Sequence, residues 1–61
     1  MSIAERLIAA RGNKTQVEVC EAIGISRAAL GMYELGKRVP RDEIKVRLAK
    51  YYNKSIEELF Y

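Results

Sequence analysis

The sequence predicts a small all-α domain, because helix-start signals recur along the chain and no stretch sustains the alternation of apolar and polar residues typical of a strand. Apolar residues instead recur at helical spacing, as in Ile3 with Leu7 and Ile44 with Leu48. The 61 residues suffice for one domain, spanning 1–61. A domain of this size buries little surface, so we expect it to associate with a second copy.

Three helix starts carry a capping box, in which a Ser or Thr and a Glu three residues later each bind a free N–H group of the first turn. These starts are at Ser2, Thr15 and Ser55. Ser26 predicts a fourth start, and Pro40 with the acids that follow it predicts a fifth. Glycine or asparagine marks the helix ends between them. The expected helices cover residues 2–11, 15–23, 26–35, 41–52 and 55–60.

The apolar faces of these helices are expected to form a single core. At about 25 cal/mol per Å² of buried apolar surface, such a core only slightly exceeds its entropy cost. The predicted core comprises Ile3, Leu7, Val19, Cys20, Ile23, Ile25, Leu30, Tyr33, Ile44, Leu48, Ala49, Tyr52, Ile56 and Leu59.

Composition excludes several classes of protein. Cys20 is the single cysteine and there is no histidine, so we expect no disulfide, no metal site and no cofactor. Without histidine the thiol also lacks its usual activating base, and we do not expect an enzyme. The longest apolar run, Leu7–Ala10, is too short to cross a bilayer. We therefore expect a cytoplasmic protein without a membrane partner.

The charge balance is mildly basic, with 11 Lys and Arg against 8 Asp and Glu and a net charge of +3. This balance permits a polyanionic partner without establishing one.

The most informative stretch is residues 16–35. Its two predicted helices are separated only by Gly24 and Ile25, so they must fold sharply against each other and pack closely. Close packing requires a small side chain where the backbones approach, and Cys20 lies one turn before Gly24. Glycine in the turn, a small residue one turn before it and apolar residues at helical spacing on both sides are typical of a helix-turn-helix motif that binds DNA.

The sequence resembles the phage repressor and Cro-like family, also called the xenobiotic-response-element type. The resemblance rests on T-Q-V-E at 15–18, G-I-S-R at 24–27 and Y-E-L-G-K-R-V-P at 33–40, and it extends to S-I-E-E-L-F at 55–60. It implies a compact five-helix lambda-repressor-like domain whose third helix, about 26–35, enters the major groove. It also implies a homodimer that binds a palindromic operator in double-stranded DNA.

The resemblance implies a sequence-specific transcriptional regulator, Cro-like or repressor-like, from a phage, a mobile element or a bacterium. We expect no small-molecule ligand, because the chain has no room for a separate sensing domain. The alternative is a protein-interaction module, such as an antitoxin that uses the same helical scaffold.

Five residues are the predicted base contacts. Arg27 opens the third helix, where its guanidinium can pair with guanine or can merely touch phosphate. Gln16 is expected to contact the phosphate backbone of DNA and to brace Arg27. Ala28 and Met32 lie on the outward face with Gly31 beside them, and this face is apolar where the family is usually polar. It can contact thymine methyl groups, or it can bind a protein.

The predicted phosphate contacts flank the third helix. Lys14 and Thr15 precede the second helix, while Lys37, Arg38 and Arg41 follow the third. The four cations can form a phosphate clamp, and the alternative is a solvated loop.

Two further expectations concern contacts within and between chains. The resemblance implies that Glu34 pairs with Arg11 and orients the third helix. Aromatic residues are concentrated near the end of the chain, so Tyr51, Phe60 and Tyr61 are predicted to form a two-fold dimer contact. An intramolecular cap over helices one and four is the competing interpretation of these aromatic residues.

Overall fold

The computed structural model describes residues 2–61, and the secondary structure of these residues is helical. Residues 2–61 fold into five helices, which confirms the predicted fold class. Their bounds are α1 Ile3–Arg11, α2 Gln16–Ile23, α3 Arg27–Glu34, α4 Asp42–Tyr52 and α5 Ile56–Phe60.

Each helix begins one residue after the predicted start, because the cap residue is extended rather than helical. All three predicted capping boxes form. In the first, the N–H of Glu5 donates to Ser2 Oγ over 3.1 Å and the N–H of Ser2 donates to Glu5 Oε1 over 2.9 Å. The bond from the Ser2 N–H lowers the pKa of Glu5, and the equivalent bond from Ser55 lowers the pKa of Glu58.

The helices pack around one core. Helix α1 contacts α3 and α5, while α4 contacts α2 and α5, so α1 and α4 hold the α2–α3 pair from two sides. The buried apolar residues are Leu7, Val19, Cys20, Ile23, Leu30, Tyr33, Leu48, Ala49, Tyr52, Leu59 and Phe60. Among residues 2–61, no helix has the length and apolar character needed to cross a membrane.

Phe60 belongs to the buried apolar cluster although the core prediction left it out, and its burial corrects the dimer prediction. Its side chain is 5% exposed and belongs to the same cluster as Leu59. A ring that is already covered within one chain has little surface to offer a second, so Phe60 is withdrawn from the predicted dimer contact. It is part of an intramolecular cap, as the competing interpretation proposed.

The turn between α2 and α3 is tight, as the sequence predicted. Gly24 adopts the left-handed conformation with φ +79°, and the N–H groups of Gly24 and Ile25 both donate to the carbonyl of Cys20, over 2.8 and 3.1 Å. Cys20 Sγ lies 3.5 Å from the carbonyl oxygen of Ser26, at the start of α3. The small side chain therefore lets the two helices approach, and burial raises the pKa of its thiol.

Tyr52 carries a polar atom that the core leaves without a partner. Its hydroxyl is buried and makes no hydrogen bond within residues 2–61. Burial, together with the nearby Glu34 carboxylate, raises the pKa of Tyr52 to about 12. The folded protein thus favours the neutral phenol more strongly than the unfolded chain does.

Replacing Tyr52 with Phe is expected to raise the free energy of unfolding by about 1 kcal/mol, because a buried unpaired hydroxyl no longer has to be desolvated. The variant should also lose less stability in alkali. The stability of the wild type is unaffected by this phenol's ionisation below pH 10 and falls as the pH rises towards 12, since the phenol ionises first in the unfolded chain, whereas the variant has no phenol here to ionise. Urea denaturation between pH 7 and 11 measures both effects.

Tyr61→Phe is the matched control, because that ring is 74% exposed. Its stability should change by less than about 0.5 kcal/mol. A Tyr52→Phe protein that is less stable than the wild type at pH 7 would contradict the prediction.

Candidate nucleic-acid interface

Helix α3 presents one side to the core and the opposite side to solvent. Leu30, Tyr33 and Glu34 are buried. The outward side is exposed at Ala28 and Met32, with Met32 37% exposed. This arrangement agrees with the outward face predicted from helical periodicity.

A hydrogen-bonded network centred on Glu34 fixes the orientation of α3. The Arg11 guanidinium donates from Nε to Glu34 Oε2 over 2.8 Å and from Nη2 to Glu34 Oε1 over 3.1 Å. Gln16 Nε2 donates to the same Oε1 over 2.9 Å. The network therefore joins the last residue of α1, the first of α2 and the last of α3, and it confirms the pairing of Glu34 with Arg11.

This ion pair is largely shielded from water. The Glu34 side chain is 5% exposed and that of Arg11 is 21% exposed, so solvent screens the pair weakly. The hydrogen bond to Glu34 raises the pKa of Arg11. Arg11 Nη1 also donates to the carbonyl of Lys14 over 2.8 Å, which ties the α1–α2 turn to the same guanidinium.

Gln16 occupies a different place in this network from the one predicted. The sequence predicted that its amide braces Arg27, but the amide donates to Glu34, and no hydrogen bond joins it to Arg27 among residues 2–61. The reason is that the buried carboxylate lies within reach of the start of α2. Gln16 remains half-buried at the edge of the outward surface.

The remaining predicted base-contact positions are accessible. Arg27 is exposed and forms no ion pair with the described carboxylates. Above Gly31 there is open space: among residues 2–61, apart from its own stretch of helix, no heavy atom lies within 4 Å of where a Cβ would be. The fold therefore gives no packing reason for glycine at this position.

Cations flank α3 at both ends. Lys37, Arg38 and Arg41 are exposed, and within residues 2–61 none of the three forms an ion pair. Arg38 and Arg41 line one cleft with Ser26, the cap residue of α3.

Lys14 and Thr15 lie at the start of α2. The Thr15 hydroxyl accepts from the N–H of Glu18 over 3.1 Å, so its side chain caps the helix. Lys14 is exposed, and its ammonium nitrogen lies 6.0 Å from the centre of the Tyr51 ring. In the free protein this cation is thus directed towards α4.

The two aromatic residues that remain candidates for a dimer contact differ in exposure. Tyr51 is half-buried, whereas Tyr61 is 74% exposed. Lys45 Nζ lies 5.1 Å from the centre of the Tyr61 ring and donates to its hydroxyl over 3.3 Å. Tyr61 is therefore held against α4 while one side of its ring faces solvent.

Arg47 supports the helix-turn-helix and was missed at the level of sequence. Its Nη1 donates to the carbonyl of Ile23 over 3.3 Å, and its Nη2 donates to Glu43 over 3.3 Å. The spacing of Glu43 and Arg47 along one helix could have indicated the second contact. Among residues 2–61, no group of three carboxylate or cysteine side chains is placed to hold a metal ion.

Two closely packed helices, a tight glycine turn and an exposed second helix define a helix-turn-helix protein. The family model described as helix-turn-helix, of the Cro/C1 type, matches residues 3–59, and the chain belongs to this family.

The chain is also similar to a curated protein whose name states a function. The chain is 41% identical over 61 residues to the cryptic phage CTXphi transcriptional repressor RstR of Vibrio cholerae serotype O1. The match covers 97% of this chain and 54% of the relative, so the chain spans about half the length of that protein. No solved structure matches the chain.

Replacing Glu34 with Gln is expected to lower the free energy of unfolding by about 2 kcal/mol, because hydrogen bonds to a charged group are lost and Arg11 keeps a partly buried charge without a counter-ion. Denaturation with urea measures the change.

Glu43→Gln is the control, because the Arg47–Glu43 pair is exposed, at 48% and 74% of the two side chains. The loss in this variant should stay below about 1 kcal/mol. Equal losses in the two variants would show that the Glu34 network does not orient α3 as described.

Proposed function

We propose that this protein is a sequence-specific transcriptional regulator that binds double-stranded DNA, with α3 in the major groove and α2 across the phosphate backbone. The observation that carries the proposal is an exposed α3 flanked by cations that have no carboxylate partner among residues 2–61. Membership of the helix-turn-helix family and similarity to a phage transcriptional repressor support it. Origin from a phage or mobile element fits the same similarity.

Phosphate binding is assigned to the two helix starts and the flanking cations. The first N–H groups of a helix have no partner within it, so the starts of α2 and α3 attract anions. The cap residues of both starts, Thr15 and Ser26, are exposed. The proposed phosphate contacts are Lys14, Thr15, Lys37, Arg38 and Arg41.

Base contacts are assigned to the outward side of α3. Arg27 has a free guanidinium that can donate two hydrogen bonds to guanine. Ala28 and Met32 offer apolar surface, and Gly31 allows the helix backbone to approach base edges. Gln16 is proposed at the edge of this surface, with its amide nitrogen already bound to Glu34.

The protein is proposed to act as a homodimer on a palindromic operator. Tyr61 and Tyr51 are the proposed contact residues, because Tyr61 presents a large exposed ring and Tyr51 is partly accessible. A dimer would place two copies of α3 on half-sites about 34 Å apart.

A protein-interaction module is the second candidate function. The observation that favours it is the exposure of two apolar residues after α3, with Leu35 70% and Val39 60% exposed. Retention of duplex DNA separates the two candidates, since an interaction module has no reason to select a base sequence.

Selection from a random duplex pool followed by a salt titration tests the DNA-binding proposal. If Lys14, Lys37, Arg38 and Arg41 each neutralise one phosphate, they should contribute a slope of about −3.6 per subunit to log K against log salt. Fluorescence anisotropy titrations at several salt concentrations, between roughly 50 and 300 mM, give this slope.

Two variants sharpen the salt titration. Arg38→Ala should reduce the slope by about 0.9, whereas Lys54→Ala, in the cleft between α1 and α5, should leave it unchanged. A flat titration, or failure to retain any duplex in dilute buffer, would contradict the proposed function.

Gly31→Ala should make the protein more stable and a weaker DNA binder. Alanine favours the helix by about 1 kcal/mol, and among residues 2–61 the new methyl group meets no atom within 4 Å apart from its own stretch of helix backbone. In the groove the same methyl should clash with base edges and weaken binding roughly tenfold. Thermal unfolding and anisotropy measure the two changes.

Ala22→Gly on α2 is the control for this prediction. It should lower stability by about 1 kcal/mol and leave the affinity for the selected duplex unchanged. Gly31→Ala protein that binds as tightly as the wild type would show that the backbone does not approach the bases.

A further inference from the structure

The outward side of α3 carries no polar side-chain atom beyond Arg27. Positions 28, 31, 32 and 35 share one side of the helix, and they hold Ala, Gly, Met and Leu. Within α3 the exposed residues are Arg27, Ala28 and Met32. A base pair opposite Ala28–Met32 therefore meets only C–H groups of side chains.

The polar side chains next to this surface are already engaged. Both oxygens of Glu34 accept hydrogen bonds, from Arg11 and Gln16, and the Gln16 amide nitrogen is used in doing so. Glu34 cannot turn to a base edge without breaking this network, which would be costly, and Gln16 belongs to α2. Hydrogen-bond readout opposite Ala28–Met32 is thus not available from α3.

One feature of the major groove remains readable by apolar contact, namely the methyl group on C5 of a pyrimidine. Thymine carries this methyl and cytosine does not. In 5-methylcytosine the same methyl occupies the same position of the ring, although the base pairs with guanine instead of adenine.

We propose that this protein reads the C5-methyl group opposite Ala28–Met32 irrespective of the pyrimidine that carries it, so that 5-methylcytosine can replace thymine in its operator. The inference rests on the proposed DNA-binding function. It makes the protein responsive to cytosine methylation of its target.

Indifference to the pyrimidine follows from the chemistry of the helix surface. The A·T and G·C pairs differ in the groove by amino and carbonyl groups, which only a hydrogen-bonding partner distinguishes. The side chains of Ala28 and Met32 carry no hydrogen-bonding group for a base edge, and Gly31 adds only backbone atoms. The methyl group is then the main difference that the protein senses at these positions.

The test uses the duplex selected from a random pool, rebuilt with four base pairs at each pyrimidine position in turn. The pairs are A·T, A·U, inosine·5-methylcytosine and inosine·cytosine. Inosine replaces guanine because it lacks the minor-groove amino group, so the pairs differ only in the major groove. Anisotropy titration at one fixed salt concentration gives an affinity for each pair.

At two or more positions of each half-site, both methylated pairs should bind about fourfold more tightly than their unmethylated counterparts. The change of purine at these positions should alter the affinity by less than about twofold. The position read by Arg27 serves as an internal control: inosine presents the same O6 and N7 acceptors as guanine, so replacing inosine with adenine there should weaken binding by roughly five- to a hundredfold whatever the pyrimidine carries.

Met32→Ala should abolish the methyl preference at one position. Val46→Ala is the matched control, because Val46 is 38% exposed and Met32 37% exposed, and Val46 lies on α4. That variant should keep the fourfold preference.

Tight binding of the selected duplex with no methyl preference at any position would overturn this inference and leave the proposed function intact. An unchanged preference in Met32→Ala, or a purine effect larger than the methyl effect at every position, would also overturn it. Failure to bind any duplex would overturn the proposed function itself.

Discussion

The ion pair between Arg11 and Glu34 is the interaction on which the position of α3 depends. Helix α3 has only eight residues, and its last residue places a carboxylate inside the domain. A buried carboxylate is costly unless it is paired and hydrogen-bonded, so the fold is stable only where the ends of α1 and α3 and the start of α2 meet. The same contact that satisfies this charge therefore sets the angle at which α3 faces solvent.

The buried side chains of α3 hold the helix in the fold. The side chains on its outward side are therefore not needed for packing. Met32 is exposed there, and Gly31 weakens the helix without any packing need. Their presence is best explained by what the helix meets outside the protein, and apolar surface with a bare backbone suits a methyl-bearing groove.

The small size of the domain explains why most of its aromatic residues are buried. A chain of 61 residues has few large side chains with which to fill a core, and it uses Tyr33, Tyr52 and Phe60 for that purpose. One consequence is seen at Tyr52, whose ring fills space in the core while its hydroxyl has no hydrogen-bond partner among the described residues. This use of aromatic residues also leaves Tyr61 as the aromatic side chain with the most surface for a second copy.

Local order was predictable from sequence, because capping boxes and apolar spacing act over three or four residues and need no knowledge of distant parts of the chain. Helix number, the tight turn at Gly24 and the outward side of α3 followed from them. The tertiary structure decided that Gln16 binds Glu34, that Phe60 is buried and that Arg47 reaches the carbonyl of Ile23. These contacts join different helices, so they depend on the angles at which the helices cross, which no local pattern specifies.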